Sequence, residues 1–280
     1  MIDPADAQQL ESLLRRHRIT LQHRLGQNFL VNPQLRDVIA EATGILQNDE
    51  VLEVGAGVGT LTIALAPRCR RLVAVELDAR LQPALREIVA GHPNVEVVEA
   101  DVLRFDVAAA FPGGAEVVAG NIPYNLTGGL IRKLLDRPPR PRRLSLVVQK
   151  EVAERWAAAT SASLATVAVH VFAEPRIVLR IPADAFTPIP RVDSALVVLE
   201  VRSKPAVDVE PEPFFRFVEA VFQFRRKQLG GTLARIARTS GSEVARRLND
   251  LGIEPARRPQ TLTLPEWDAV FRAFNPSPGR

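Results

Sequence analysis

The sequence is poor in the residues on which several kinds of chemistry depend. Among its 280 residues there is one cysteine, one methionine and one tyrosine. A single cysteine excludes an intrachain disulfide. That residue, Cys69, stands between Arg68 and Arg70-Arg71. Cations there would lower a thiol pKa, but a small residue leading into a strand is the expectation carried forward. The four histidines, His17, His23, His92 and His170, are scattered and lack the spacing of a zinc site, so no metal is assigned. No apolar run approaches the roughly 20 residues that a membrane span needs. The first residues are acidic and helix-like, without the apolar core of a signal peptide, so a cytoplasmic protein without a membrane partner is expected.

What is present is ordinary in amount and uneven in place. Apolar residues make up 46% of the chain, enough for a sizeable core. Residues 1–200 carry 22 Lys+Arg and 23 Asp+Glu, net −1, whereas residues 201–280 carry 14 and 9, net +5. A basic tail on a neutral body fits a polyanionic partner.

From residue 50 onward, short and almost wholly apolar strands alternate with helices. The strands are expected at 51–54, 72–75, 95–98, 117–119 and 144–148, with helices at 60–66, 79–90, 127–135 and 151–158. This pattern predicts a mostly parallel α/β sheet covered on both faces. Two further strands, near 166–172 and 196–201, are expected to give the sheet an antiparallel end. Residues 203–213 contain three prolines and read as a linker, followed by four short helices. The division expected is therefore 1–203 for a Rossmann-like domain and 204–280 for a small, all-helical, basic domain.

The first strand runs into Glu53-Val54-Gly55-Ala56-Gly57-Val58-Gly59. Glycines at such a turn permit close approach of a ligand, and the strand ends of a doubly wound sheet form its usual crevice. The spacing is not that of a dinucleotide loop, and a carboxylate precedes the first glycine by two residues, which suits a cofactor without phosphates. Glu76, at the end of the second strand, can accept both ribose hydroxyls of a nucleoside. Asp101, after the third, can accept from an adenine amino group; singly, it would serve equally well as a helix cap. The fourth strand ends in Gly120-Asn121-Ile122-Pro123-Tyr124-Asn125. An adenine amino nitrogen is a poor nucleophile because its lone pair is delocalised into the ring. The Asn121 side-chain oxygen and the Ile122 or Pro123 carbonyl can accept its hydrogens and localise that pair. Tyr124 offers a face on which a flipped base stacks.

These motifs resemble the class I S-adenosylmethionine methyltransferases, and within them the KsgA-type rRNA adenine dimethyltransferases. The resemblance covers nearly the whole chain. It rests on the ordered set Gly26–Leu30, Glu53–Gly57, Asn121–Tyr124, Gln149–Arg155, Ala185–Ser194 and Phe222–Lys227. It implies dimethylation, at N6, of two adjacent adenosines near the 3′ end of small-subunit 16S rRNA, with S-adenosylmethionine leaving as S-adenosylhomocysteine. It also implies a role in ribosome biogenesis, a substrate within an assembling small subunit, and a monomer. Implied cofactor contacts are Gln27, Asn28, Leu30, Gly55, Gly57, Glu76, Leu77, Asp101, Val102 and Asn121. The catalytic set is Asn121, Ile122, Pro123, Tyr124 and Phe186, the last helping to hold the target base. RNA contacts are expected at Arg24, Lys150, Arg191, Arg225, Arg226 and Lys227, where cations neutralise phosphates without reading sequence. The sequence departs from the family pattern at 159–165, which is shorter and lacks an aromatic and an arginine, and at Leu25 and Gln228–Gly231. The first departure resembles the erythromycin-resistance enzymes that dimethylate one adenine of large-subunit rRNA. A non-catalytic nucleic-acid-binding factor on the same fold, or a protein glutamine methyltransferase, would share parts of the same pattern.

Overall fold

A computed structural model describes residues 2–21, 27–123, 126–135 and 138–275. The chain forms two compact units, residues 1–154 with 174–201, and residues 155–173 with 202–280.

The first unit is built on a seven-stranded sheet. Its strands are β2 (Glu50–Val54), β3 (Arg71–Glu76), β4 (Val95–Glu99), β5 (Val117–Asn121), β6 (Arg143–Gln149), β7 (Ala173–Ile181) and β9 (Ser194–Val201), in the order β4-β3-β2-β5-β6-β9-β7. The pairs from β4 through β6 are parallel, and β9 runs antiparallel to β6. The mostly parallel sheet with an antiparallel end is thus present. The central strands are buried along their length because helices cover both faces, which is why they read as unbroken apolar runs. The helices are α1 (Ala7–Arg16), α2 (Pro33–Ala42), α3 (Thr62–Leu65), α4 (Gln82–Val89), α5 (Val107–Ala110) and α6 (Thr127–Leu135), and α7 (Lys150–Ala157) follows β6. One core cluster joins α2 and α3 to Val51, Leu72, Val117, Val147 and Leu196, and another joins α1 and α4 to Phe29, Val58 and Ala74. Asn32 caps α2, its side chain accepting from Leu35 N at 2.9 Å, and Pro33 opens the helix.

A second, two-stranded sheet pairs β1 (Phe29–Leu30) antiparallel with β8 (Phe186–Thr187). Val31 N donates to Ala185 O at 2.8 Å and extends the contact. Segments more than 150 residues apart in sequence therefore lie side by side.

The second unit contains α8 (Leu164–Phe172), α9 (Pro211–Phe222), α10 (Leu229–Ala237), α11 (Gly241–Asp250) and α12 (Leu264–Phe274). Its core is aromatic: Phe172 stacks on Phe215 at 5.6 Å, Phe214 and Phe217 each meet Phe271 edge-on at 5.5 Å, and Phe222 lies 5.3 Å from Trp267. Thr263 and Glu266 form a capping box at the start of α12, and Arg257 pairs with Glu266.

Two expectations change. The segment 166–172 is helical, and the strand expected there is β7, beginning at Ala173. The Ser163 side chain caps α8 by accepting from Thr166 N at 3.1 Å, and the helix is buried on nearly every side, so it shows no amphipathic period. The boundary at residue 203 is linear, but the compact units are not. Residues 155–173 lie on the first side of that boundary and group with 202–280, because α8 packs against α9 and α12.

Candidate active site

At the C-terminal ends of β2, β3 and β5, the strand ends and the β1–β8 pair enclose a cleft of about 150 Å³. All ten residues expected to contact a cofactor line it, as do Asn121, Ile122, Pro123 and Phe186. Tyr124 and Arg24 lie outside the described residues. Lys150, Arg191, Arg225, Arg226 and Lys227 do not line the cleft.

The glycine loop is positioned by the sheet itself. Gly55 N and Ala56 N both donate to Val75 O, at 2.9 and 3.2 Å, which continues the β2–β3 ladder into the turn. Gly55 and Gly57 have φ of +71° and +60°, a left-handed backbone that side chains disfavour. A Cβ on Gly57 would come within 3.0 Å of the Phe29 ring, so this glycine also lets β1 lean on the loop.

Glu76 is buried and fixed at both oxygens. Oε2 accepts from Gly57 N and Oε1 from Asp78 N, each at 2.8 Å. Burial pushes its carboxyl above the usual range, and the bonds to backbone N–H groups oppose that shift. Asp101 Oδ1 accepts from Leu103 N at 2.9 Å, so Asp101 closes a turn as well as lining the cleft.

Glu53 lines the cleft too; the sequence marks it as the acid two residues before the first glycine but does not include it among the expected contacts. It is 1% exposed inside a parallel strand, and its Oε2 has no hydrogen-bond partner. Burial pushes its carboxyl up to about 8; the charge of Glu76 adds to the shift and the nearby Thr62 hydroxyl opposes it. A signal exists in the sequence, since a carboxylate inside an otherwise apolar strand breaks the pattern that folding alone would favour. Thr60 also lines the cleft with an unpartnered, buried hydroxyl.

The donor set is one-sided. Three carboxyl groups, Glu53, Glu76 and Asp101, line the cleft, and among the described residues no Lys, Arg or His does. Such a site offers no cation to a phosphate and presents acceptors to a cationic ligand. It fits a nucleoside that carries an ammonium and a sulfonium.

Asn121 ends β5 with its amide fixed. Nδ2 donates to the Asn28 carbonyl at 2.9 Å, which leaves Oδ1 as the acceptor that this lining residue offers the cleft. Gly120 makes that placement possible: a Cβ there would lie 2.3 Å from Val54 O on the neighbouring strand. Cys69 is buried, and burial pushes its thiol up to about 11, so the arginines beside it in sequence do not activate it.

Comparison with known proteins identifies the family. Residues 18–268 match the family model described as ribosomal RNA adenine dimethylase. A ribosomal RNA small subunit methyltransferase A from Pelotomaculum thermopropionicum is 38% identical over 289 residues, covering 98% of each chain. The protein of the same name from Geobacter metallireducens is 38% identical over 269 residues, covering 93% of this chain and 98% of its own. Among solved structures, a dimethyladenosine transferase from Plasmodium falciparum superposes with a TM-score of 0.69 at 25% identity, over 87% of this chain and 96% of its own. The 23S rRNA methyltransferase ErmE superposes with a TM-score of 0.68 at 29% identity, over 89% of this chain and 100% of its own.

Proposed function

The chain belongs to the ribosomal RNA adenine dimethylase family, and from that premise we propose that it dimethylates the N6 amino groups of two adjacent adenosines of small-subunit 16S rRNA. The observation that carries the chemistry is Asn121, held by the Asn28 carbonyl with its Oδ1 left to accept, on the wall of a cleft lined by acids.

S-adenosylmethionine supplies an electrophilic methyl group on a sulfonium. Glu76 would hold the ribose hydroxyls on lone pairs not used by Gly57 and Asp78, Asp101 the adenine amino group, and Glu53, through its unpartnered Oε2, would accept a hydrogen bond from the ammonium. Asn121 Oδ1 and the carbonyl of Ile122 or Pro123 accept the hydrogens of the target amino group. Accepting them returns electron density to the nitrogen and aims its lone pair. Phe186, fixed by its pairing with Leu30, provides an apolar wall for the extruded base. No strong base is required; positioning and fixed dipoles supply the rate.

Fold does not select the ribosomal subunit, because the dimethyladenosine transferase and the 23S rRNA enzyme superpose equally well. Sequence favours the small subunit: the relatives at 38% identity are small-subunit enzymes, whereas ErmE stands at 29%. The RNA is met as part of an assembling subunit in the cytoplasm, by a monomer whose basic helical unit, with Arg24, Lys150 and Arg191, contacts phosphates. Among the described residues no helix is long and apolar enough to cross a membrane.

The test is transfer of labelled methyl groups to unmethylated small subunits and, separately, to large-subunit rRNA, with mass spectrometry of the nucleosides. Dimethyladenosine in the small subunit is the expected product. Label in large-subunit rRNA alone would reassign the target, and label in neither would leave a nucleic-acid-binding factor.

A further inference from the structure

Asp78 is 7% exposed and sits in the turn between β3 and α4, yet the roles assigned above do not use its side chain. Its carboxylate is fully engaged. Arg80 donates from Nε to Oδ1 at 2.8 Å, its backbone N to the same oxygen at 3.1 Å, and its Nη2 to Oδ2. Gln27 Nε2 donates to Oδ2 at 2.7 Å across 51 residues of sequence. Arg80 Nη1 also donates to Thr20 O at 2.9 Å. Thus one carboxylate and its arginine hold points on the N-terminal segment against the turn that carries Glu76. Residue 28, next along the chain from Gln27, is the one whose carbonyl accepts from Asn121 Nδ2.

The chemical importance lies in the asymmetry of an amide. An Asn side chain presents either an acceptor or a donor pair, and the two differ by a half-turn about its last bond. Only the orientation with Oδ1 toward the target can accept amino hydrogens. The Asn28 carbonyl selects it by engaging Nδ2, and that carbonyl must itself be held. Leu30 is held by its pairing with Phe186, on the far side of Asn28 from Gln27. The Gln27–Asp78 bond holds the near side.

We propose that Asp78 is a positioning residue for methyl transfer, acting through Gln27 and the Asn28 carbonyl to set the orientation of the Asn121 amide. It touches neither cofactor nor base. The Arg80 hydrogen bonds, with Gln27 adding in the same direction, keep its carboxyl below the usual range, so the tie persists through neutral and mildly acidic pH. This rests on the role proposed for Asn121.

The experiment compares the wild type with Asp78→Asn, Gln27→Glu and the double variant, in steady-state transfer to unmethylated small subunits and in S-adenosylhomocysteine binding. The side-chain amide resonances of Asn121 are followed by NMR in the same proteins. Gln27→Glu places two carboxylates together and should lower kcat roughly tenfold to a hundredfold, the scale set by small misplacements of reacting groups. In Asp78→Asn, which leaves every cleft-lining residue in place, kcat should fall while KM for the cofactor changes much less. The double variant restores one acid facing one amide with the donor reversed, and should recover most of kcat. The Asn121 amide protons, protected in the wild type by the Asn28 carbonyl, should exchange faster in Gln27→Glu and recover protection in the double variant. Unchanged kcat and unchanged exchange in Gln27→Glu would overturn the proposal. So would a loss confined to thermal stability, or one that the double variant does not rescue. A wild type that transfers nothing to either rRNA would instead remove the assigned reaction, and the amide exchange would still report on the tie.

Discussion

Glu53 departs from the rule its own strand follows. Every other residue of β2 beyond its first is apolar and buried, and a carboxyl group in that position costs folding free energy when ionised. The folded protein keeps this proton to about pH 8, whereas the ordinary value is 4.5. Below about 4.5 both states are protonated and no penalty exists. Between 4.5 and 8 the unfolded chain ionises while the folded one does not, so stability falls as pH rises through that window. Glu53→Gln should therefore flatten the decline of Tm between pH 5 and 8 and be the more stable protein at pH 8. Thermal unfolding across that range checks it, and parallel curves for the two proteins would contradict the assignment. Asn121 makes the opposite kind of contribution, felt in the transition state. Asn121→Ala should reduce the methylation rate by about a hundredfold or more, while RNA affinity changes little. Single-turnover transfer and a filter-binding titration separate the two; equal losses in both would mean that Asn121 only binds.

At the level of elements, the placement of Asn121, the residue proposed to act in transfer, depends on how closely two strands approach. β5 pairs with β2 from Val117 to Ala119, and Gly120 then passes Val54 O at a distance that admits no side chain. Gly120→Ala must push the end of β5 off β2, and Asn121 moves with it. The expected result is a loss of roughly 1–3 kcal/mol in urea unfolding, in the range for overpacking, with transfer activity reduced further than stability alone explains. Full activity in a folded Gly120→Ala protein would show that the position of Asn121 tolerates this shift. The helix α8 presents a different problem. Its apolar, β-branched run has no period that separates a buried helix from a buried strand. The Ser163 cap is the deciding signal, and it is legible in the sequence only once a helix is considered.

For the molecule as a whole, charge follows the compact units. The unit formed by 155–173 and 202–280 holds 15 Lys+Arg against 9 Asp+Glu, net +6, and the other unit holds 21 against 23, net −2. Arg225, Arg226 and Lys227 are exposed on a turn closed by Arg225 N to Phe222 O and Lys227 N to Phe224 O. Arg235 stacks 4.9 Å over the Phe224 ring and braces that turn. Replacing the triplet by alanine should weaken rRNA binding alike for all sequences and lower the slope of log K against log salt by about 2–3, close to one per lost phosphate contact. Binding measured at several salt concentrations gives the slope directly, and an unchanged slope would remove the triplet from the interface.

Local patterns of residues suffice for the kind of sheet, the glycine turn at Gly55 and Gly57, and the strand-end acids Glu76 and Asp101. The patterns are apolar runs of strand length, a left-handed backbone that glycine tolerates, and side chains fixed at strand ends. The sequence also marks Asn121 and Phe186, the latter through family resemblance rather than through any local pattern. Which distant segments meet is a property of the folded chain. The pairing of Phe29–Leu30 with Phe186–Thr187, the Gln27–Asp78 bond and the Asn28 carbonyl on Asn121 join residues 51 to 158 positions apart. Nothing local encodes them, because they arise from the order in which the sheet brings its strands together, and that order is settled by burial across the whole unit.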